Sequence, residues 1–273
     1  MTLCANCNAQ TPKAVVCVTN LIGPASIQDL VKGEILAIRI PGFYDVSLCD
    51  KFSRLILDHE RLEHYAVAPD IQKVGKSIFD AAEDPAQLEE YYKVAGEALA
   101  DLRSYFHPYL APMDKLRLTL QEAWPAGSMM ENLHGRLMFC GLLRAFSEGS
   151  EARPHQDMTH WDVPLCWPAK SMQTQIATNI YLSTADDGGA LELWGHGIKD
   201  EDEYHSTKVP GDYGLDRNKV GLPVVSIVPE PGDLIMFDAR RIHAVTRINK
   251  GIRIASGAFI GYRGQAEPLT VFS

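Results

Sequence analysis

Two segments of this 273-residue chain carry side chains that could act on one chemistry together. His155-Gln156-Asp157 sets an imidazole and a carboxylate two residues apart. On an extended segment alternate side chains point the same way, so the pair can grip one metal ion from one side. The pattern is weak alone, because His160-Trp161-Asp162 repeats it five residues on. Context separates the two. His155 follows Arg144-Ala145-Phe146, Gly149 and Pro154: a strand, a turn and a proline. Far downstream, Pro231-Gly232-Asp233-Leu234-Ile235-Met236-Phe237 leads to His243 and then to Gly251-Ile252-Arg253. A turn at Asn249-Lys250-Gly251 would bring Arg253 back toward the interior that His243 faces. Two histidines, one carboxylate and a buried arginine are the parts of a non-haem Fe(II) site. The alternative is a cupin-like barrel, a metabolite-binding module whose metal is structural or absent. His160 and Asp162 then lie on a loop beside a substrate or on the surface.

The elements that must position these residues fall in two halves. The first half reads as helical. Phe52, Leu55, Ile56 and Leu62 keep helical spacing between Ser47 and His64, and Leu88, Tyr92, Ala95, Leu99, Leu102 and Phe106 form a longer stripe from Pro85 to Tyr109. Asp84 before Pro85 suits an N-cap followed by proline at the first helical position. A third helix starts after Pro112, with Met113, Leu116 and Leu120 on one face, and ends at Trp124-Pro125-Ala126-Gly127. Glu131 and His134, three apart near a helix end, share a face and could line a pocket mouth or meet solvent. Met129, Met130 and Met138 read as core filler.

From Gly135 the character changes to short strands between turn signals. Candidate strands are Leu137–Phe146, Gln175–Leu182, Ala190–Trp194, Val224–Val228, Asp233–Phe237, Ile242–Ile248 and Ile252–Tyr262, with turns at Asp186-Asp187-Gly188-Gly189 and Pro229-Glu230-Pro231-Gly232. Strands at this spacing suggest a sandwich or jelly roll with the helices outside it. The reading is thus α+β: a tail over 1–25 and one domain over 26–273, helical from about 44 to 134 and β from about 135 to 263. Gly195 to Gly221 reads as a long loop, either a lid or a solvated insertion. Asn179 and Tyr181 share a face of their strand and could touch a bound co-substrate or pack in the core. Arg144 could bind a substrate carboxylate or pair with an acidic neighbour.

Composition narrows the function classes. Apolar residues are 46% and charged residues 22%, an ordinary globular balance. Acidic residues outnumber basic ones, 35 to 26, for a net charge of −9, which argues against a nucleic-acid partner. No apolar run approaches the roughly 18 residues of a membrane helix, and no secretory signal is legible. Six cysteines are too sparse for a disulfide scaffold and read as reduced thiols of a cytoplasmic protein. The Cys4/Cys7 pair lacks the second pair that a structural zinc site needs. The helical half is free to cover the barrel, form a homodimer interface, or both.

Leu143 to Tyr262, a little under half the chain, resembles the Fe(II)/2-oxoglutarate-dependent dioxygenase superfamily. The matching pieces, in the family's order, are R-A-F-S-E-G, R-P-H-Q-D, N-I-Y-L-S, G-G-A-L-E-L, E-P-G-D-L-I-M-F and H-A-V-T-R-I-N-K-G-I-R. The resemblance implies a double-stranded β-helix, with His155, Asp157 and His243 as the metal ligands. It implies Arg253 as the partner of the distal carboxylate of the co-substrate 2-oxoglutarate. A guanidinium suits that role, because its planar fork meets a carboxylate through two hydrogen bonds. Ile40-Pro41-Gly42-Phe43 and the closing F-I-G-Y-R-G and P-L-T-V-F-S are similar to the branch that hydroxylates or halogenates free amino acids. Halogenases of that branch replace the ligand carboxylate with Gly or Ala, whereas Asp157 is present here. The implied activity is therefore hydroxylation of a small polar metabolite by Fe(II) and O2, releasing succinate and CO2. Desaturation, cyclisation or C–C cleavage at the same site stays open. Many relatives also carry Ser or Thr two residues after the arginine, where this chain has Ala255.

Overall fold

The computed structural model describes residues 14–65, 68–81 and 84–273. The Cys4/Cys7 pair lies outside them. Eight strands form two facing four-stranded layers. The larger layer runs Leu234–Asp238, Thr174–Ser183, Arg253–Tyr262, Leu142–Phe146, and the smaller runs Val225–Ile227, Leu191–Leu193, His243–Val245, Ala152–His155. All these neighbours are antiparallel. This is the double-stranded β-helix, set in an α+β chain.

The first half is not simply helical. Ala14–Val18 and Ile35–Ile40 extend the larger layer on one side, and Ile71–Val74 and Glu63–His64 on the other. Ala14–Val18 pairs in parallel with Ile35–Ile40, so residues 14–18 belong to the sheet and not to a tail. Short apolar runs such as Ile35-Leu36-Ala37-Ile38 carry neither helical nor alternating period, which hides strands buried on both faces.

Three helices cover the outer face: Val46–Leu57, Pro85–Phe106 and Pro112–Ala123. Asp84 caps the longest, its carboxylate accepting from the backbone N–H of Ala86 at 2.8 Å and of Gln87 at 3.4 Å. The stripe Tyr92, Ala95, Leu99, Leu102 and Phe106 is buried, with Phe106 against Phe52 at 4.5 Å between rings. The first helix ends at Leu57, short of His64, and His64 belongs to a strand.

Two other expectations change. Leu137–Phe146 is broken: Arg136–Leu137 closes a small hairpin, and the strand of the β-helix starts at Leu142 after Gly141 takes a left-handed φ of 107°. Gly195 to Gly221 is not an open loop. It holds the short helices Glu201–Thr207 and Arg217–Val220, and Trp194, Tyr204, Leu215, Val220, Ile242 and Ala244 form its own buried cluster. Asp200 starts the first of these by accepting from Asp202 N at 2.8 Å, so part of the acidic stretch is a capping device. Met130 and Met138 are core, but Met129 is exposed.

Candidate active site

His155 and His243 sit directly opposite each other on adjacent strands of the smaller layer, their rings 4.2 Å apart. Asp157 lies just past the end of its strand, its backbone N–H donating to the Ala239 carbonyl at 2.8 Å. This bond ties the end of the His155 strand to the connection leading to His243. One ligand atom from each of His155, Asp157 and His243 falls within 4.8 Å of the others. His243 Nε2 is 3.3 Å from Asp157 Oδ2, and His155 Nε2 is 3.7 Å from Asp157 Oδ1.

The protonation state of this cluster follows from its neighbours. His155 Nδ1 meets the Arg153 carbonyl at 2.7 Å and His243 Nδ1 the Arg241 carbonyl at 3.0 Å. A carbonyl can only accept, so each Nδ1 carries the proton and each Nε2 offers a lone pair. Burial, reinforced by His243, pushes the His155 pKa down to about 4. For Asp157 burial acts upward, but His155 and the His243 hydrogen bond outweigh it and hold the carboxyl at about 2. At neutral pH Asp157 is charged and His155 neutral, the states in which both can bind a cation. A facial His-Asp-His set fits Fe(II), with coordination positions left over for small oxygen ligands.

The cluster opens into a cavity of about 140 Å³ between the layers. Arg253 also lines it, opposite Phe146 on the neighbouring strand and only 4% exposed. Its guanidinium lies 4.8 Å from the Phe146 ring centre and 5.0 Å from that of Tyr181. Its one hydrogen-bond contact is the Tyr181 hydroxyl at 3.4 Å, and Nε has no partner among the described residues. A buried cation with free donors, facing a cavity, fits the carboxylate of a small molecule.

The remaining candidates divide. Asn179 lines the cavity, and Tyr181 packs on Arg253. Arg144 also lines the cavity. His134 does not: it sits in a hairpin turn with φ 55°, bonded to the Leu165 carbonyl. Glu131, buried beside it, bonds instead to Arg263 and Thr270. His160 lies on the one-turn helix Thr159–Asp162, outside the cavity lining. Asp162 turns back to accept from Met158 N at 3.0 Å. Ala255 lines the cavity, whereas Ser256 faces the helical layer, beside Leu99 and Met113.

Tyr213 is a cavity residue that sequence reasoning missed. Its ring meets His155 edge-on at 5.8 Å between centres, and its hydroxyl accepts from Arg153 N at 2.9 Å. It comes from the segment read as a loop, where no periodicity marks an inward side chain. The one clue was an aromatic flanked by Asp212 and Gly214.

A jelly roll with a His-Asp-His cluster and an arginine lining one cavity has the parts of a non-haem iron site. Residues 140–261 match the 2OG-Fe(II) oxygenase superfamily. Its cofactors are accordingly Fe(II) and 2-oxoglutarate. The chain is 26% identical over 263 residues to the L-gamma-glutamyl-L-propargylglycine hydroxylase of Streptantibioticus cattleyicolor, covering 90% of this chain and 91% of the relative. In fold it is similar to an N-substituted L-amino acid dioxygenase of Burkholderia ambifaria AMMD, with TM-score 0.58, 17% identity and 91% of both chains covered. The complex of that enzyme with alpha-KG gives TM-score 0.56 at 17% identity, over 91% of this chain and 90% of the other. No helix among the described residues is long and apolar enough to cross a membrane.

Proposed function

We propose that this protein is a cytoplasmic hydroxylase of an amino acid or amino-acid derivative, its helical layer and β-helix acting as one domain. His155, Asp157 and His243 hold the metal, and Arg253 holds the distal carboxylate of 2-oxoglutarate. The observation that carries the reading is the shared cavity, lined both by three potential ligand atoms within 4.8 Å of one another and by a buried, underused guanidinium. The relatives named above add the substrate class, since both are named for action on amino-acid derivatives. Asp157 fills the position that a halogenase leaves without a carboxylate, which favours hydroxylation.

Bound together, Fe(II) and 2-oxoglutarate supply O2 activation, with succinate and CO2 as co-products. The chain's part is orientation and exclusion of water. The Nδ1–H bonds to Arg153 and Arg241 carbonyls fix both imidazoles. The rings of Phe146 and Tyr181 pack against the Arg253 guanidinium and restrict its orientation toward a carboxylate. Phe237, its ring 4.8 Å from that of His243, and Phe259 keep the cavity wall apolar.

The test is anaerobic addition of Fe(II) and then 2-oxoglutarate, watching for the visible charge-transfer band of a chelated 2-oxo acid. Succinate and product mass are then measured with an amino-acid panel. A band in the wild type, lost in Asp157→Ala, and a product heavier by one oxygen are the expected results. Metal binding without a band refutes the co-substrate. A product lighter by two hydrogens refutes hydroxylation.

A further inference from the structure

The cavity holds a second arginine that the cofactors leave unused. Arg144 lies on the Leu142–Phe146 strand directly opposite Ala255, one inward position along from Phe146 and Arg253. Its side chain lines the same cavity as Asp157 and Asn179. Gly257 makes room for it: a Cβ there would collide with Arg144 Nη2 and come within 3.2 Å of Asn179 Oδ1. The guanidinium and the Asn179 amide therefore lie side by side over bare backbone.

Elsewhere the chain pairs its enclosed arginines with buried carboxylates. Arg39 meets Asp233 at 2.6 Å, Arg240 meets Asp238 at 2.9 Å, and Arg263 meets Glu131 at 2.9 Å. Among the described residues no carboxylate lies within 4 Å of Arg144, and it makes no hydrogen bond. Charge balance says what is missing. The two charges of Fe(II) match those of the 2-oxoglutarate dianion, and Asp157 matches Arg253. His155 is neutral. Arg144 is then one positive charge in excess in a largely apolar cavity, where an uncompensated charge is costly.

We propose that Arg144, with Asn179 beside it, anchors a carboxylate of the substrate, so that the molecule oxidised is itself a carboxylic acid held next to the metal site. The inference rests on the oxygenase reading above and narrows its substrate class. An amino acid or N-acyl amino acid with a free carboxylate satisfies it; the matching amide or ester does not. Arg253 and Arg144 thereby divide the two acids, co-substrate at the deep end and substrate nearer the metal.

The experiment uses the full chain loaded anaerobically with Fe(II). Titration with 2-oxoglutarate gives its Kd from the charge-transfer band, for wild type, Arg144→Gln and Gly257→Ala. Free, N-acetyl and γ-glutamyl L-amino acids, each beside its carboxamide, are then titrated by calorimetry into the 2-oxoglutarate-loaded protein. The wild type is expected to prefer carboxylate over carboxamide by about 100-fold, the scale of losing one partner of an enclosed charge pair. Arg144→Gln should bring that ratio close to one while changing the 2-oxoglutarate Kd by less than about threefold. Gly257→Ala, which keeps the charge but displaces it, should lower the ratio in the same direction. A rise of about tenfold or more in the 2-oxoglutarate Kd of Arg144→Gln assigns Arg144 to the co-substrate and overturns the proposal. So does a wild type that binds 2-oxoglutarate but shows no carboxylate preference, or a preference that survives in Arg144→Gln. Absence of the 2-oxoglutarate band in the wild type instead overturns the oxygenase reading itself, and the proposal with it.

Discussion

Replacing Arg253 by methionine should change stability and co-substrate binding in opposite directions. In the metal-free protein Arg253 is a cation 4% exposed, with Nε unpartnered and a single 3.4 Å contact to Tyr181. A buried donor left unmade costs about 1–3 kcal/mol, more when charged. Methionine has a similar reach, and the rings of Phe146 and Tyr181 that flank the guanidinium would pack against its thioether. Arg253→Met should therefore raise the melting temperature of the metal-free protein, by a few degrees at about 2–4 °C per kcal/mol for a chain near this size. The same change would remove the fork that the proposed function assigns to the distal carboxylate. Breaking one side of a buried ion pair costs about 3–5 kcal/mol, so the 2-oxoglutarate Kd should rise by about 100- to 1,000-fold or more. Thermal melting without metal and anaerobic titration with Fe(II) and 2-oxoglutarate read the two effects separately. Added 2-oxoglutarate should also stabilise the Fe(II)-loaded wild type and not the variant. A variant that binds 2-oxoglutarate as well as wild type refutes the assignment. A variant that melts several degrees lower shows that the guanidinium is a structural group, and refutes the argument from its missing partner.

Two further outcomes follow from the surroundings of the site. Tyr213→Ala opens the cavity wall beside His155. The ratio of hydroxylated product to succinate should fall as solvent reaches the site, and an unchanged ratio would mean that the segment does not seal it. Burial, then the charge of Asp157, raises the Asp162 pKa from 3.8 to about 7. The folded chain thus keeps a proton that the unfolded chain releases between about pH 4 and 7, so this contribution is full below pH 4 and lost as pH rises through 7. Asp162→Asn should flatten that loss, seen as a smaller drop in metal-free melting temperature from pH 6 to pH 8 than in wild type.

That His155, Asp157 and His243 cluster and that Arg253 lines the same cavity was legible because the signals are local. An H-x-D pair on an extended segment, a lone histidine after an apolar strand and an arginine beyond a turn each carry their own signal, and strand pairing needs only to close the hairpin. What escaped notice depends on long-range contact. Ala14–Val18 and Ile35–Ile40 are strands because Leu234–Asp238 leaves an edge to extend, and no local period reports that. The segment from Gly195 to Gly221 looked polar because its acidic residues sit on the outer side of a short helix. Trp194, Tyr204 and Leu215, too scattered for a period, fold it onto Ile242 and Ala244.

That packing decides between the two readings of the segment. A solvated insertion would leave the barrel wall complete without it. Here Leu215 N donates to the Pro154 carbonyl at 2.6 Å and Asp212 pairs with Arg153, the residues just before His155. The Tyr213 hydroxyl takes the Arg153 N–H, so Asp212, Tyr213 and Leu215 together hold the strand that ends at His155. The segment is therefore part of the site's wall as it stands. Any opening for substrate has to break these bonds near His155 or pass on the opposite side, where Ser77, Phe79 and Phe259 line the cavity and Ser77 also borders a groove lined by Lys73 and Asp80. The second route leaves the bonds to Arg153 and Pro154 unbroken, and it is the one this fold favours.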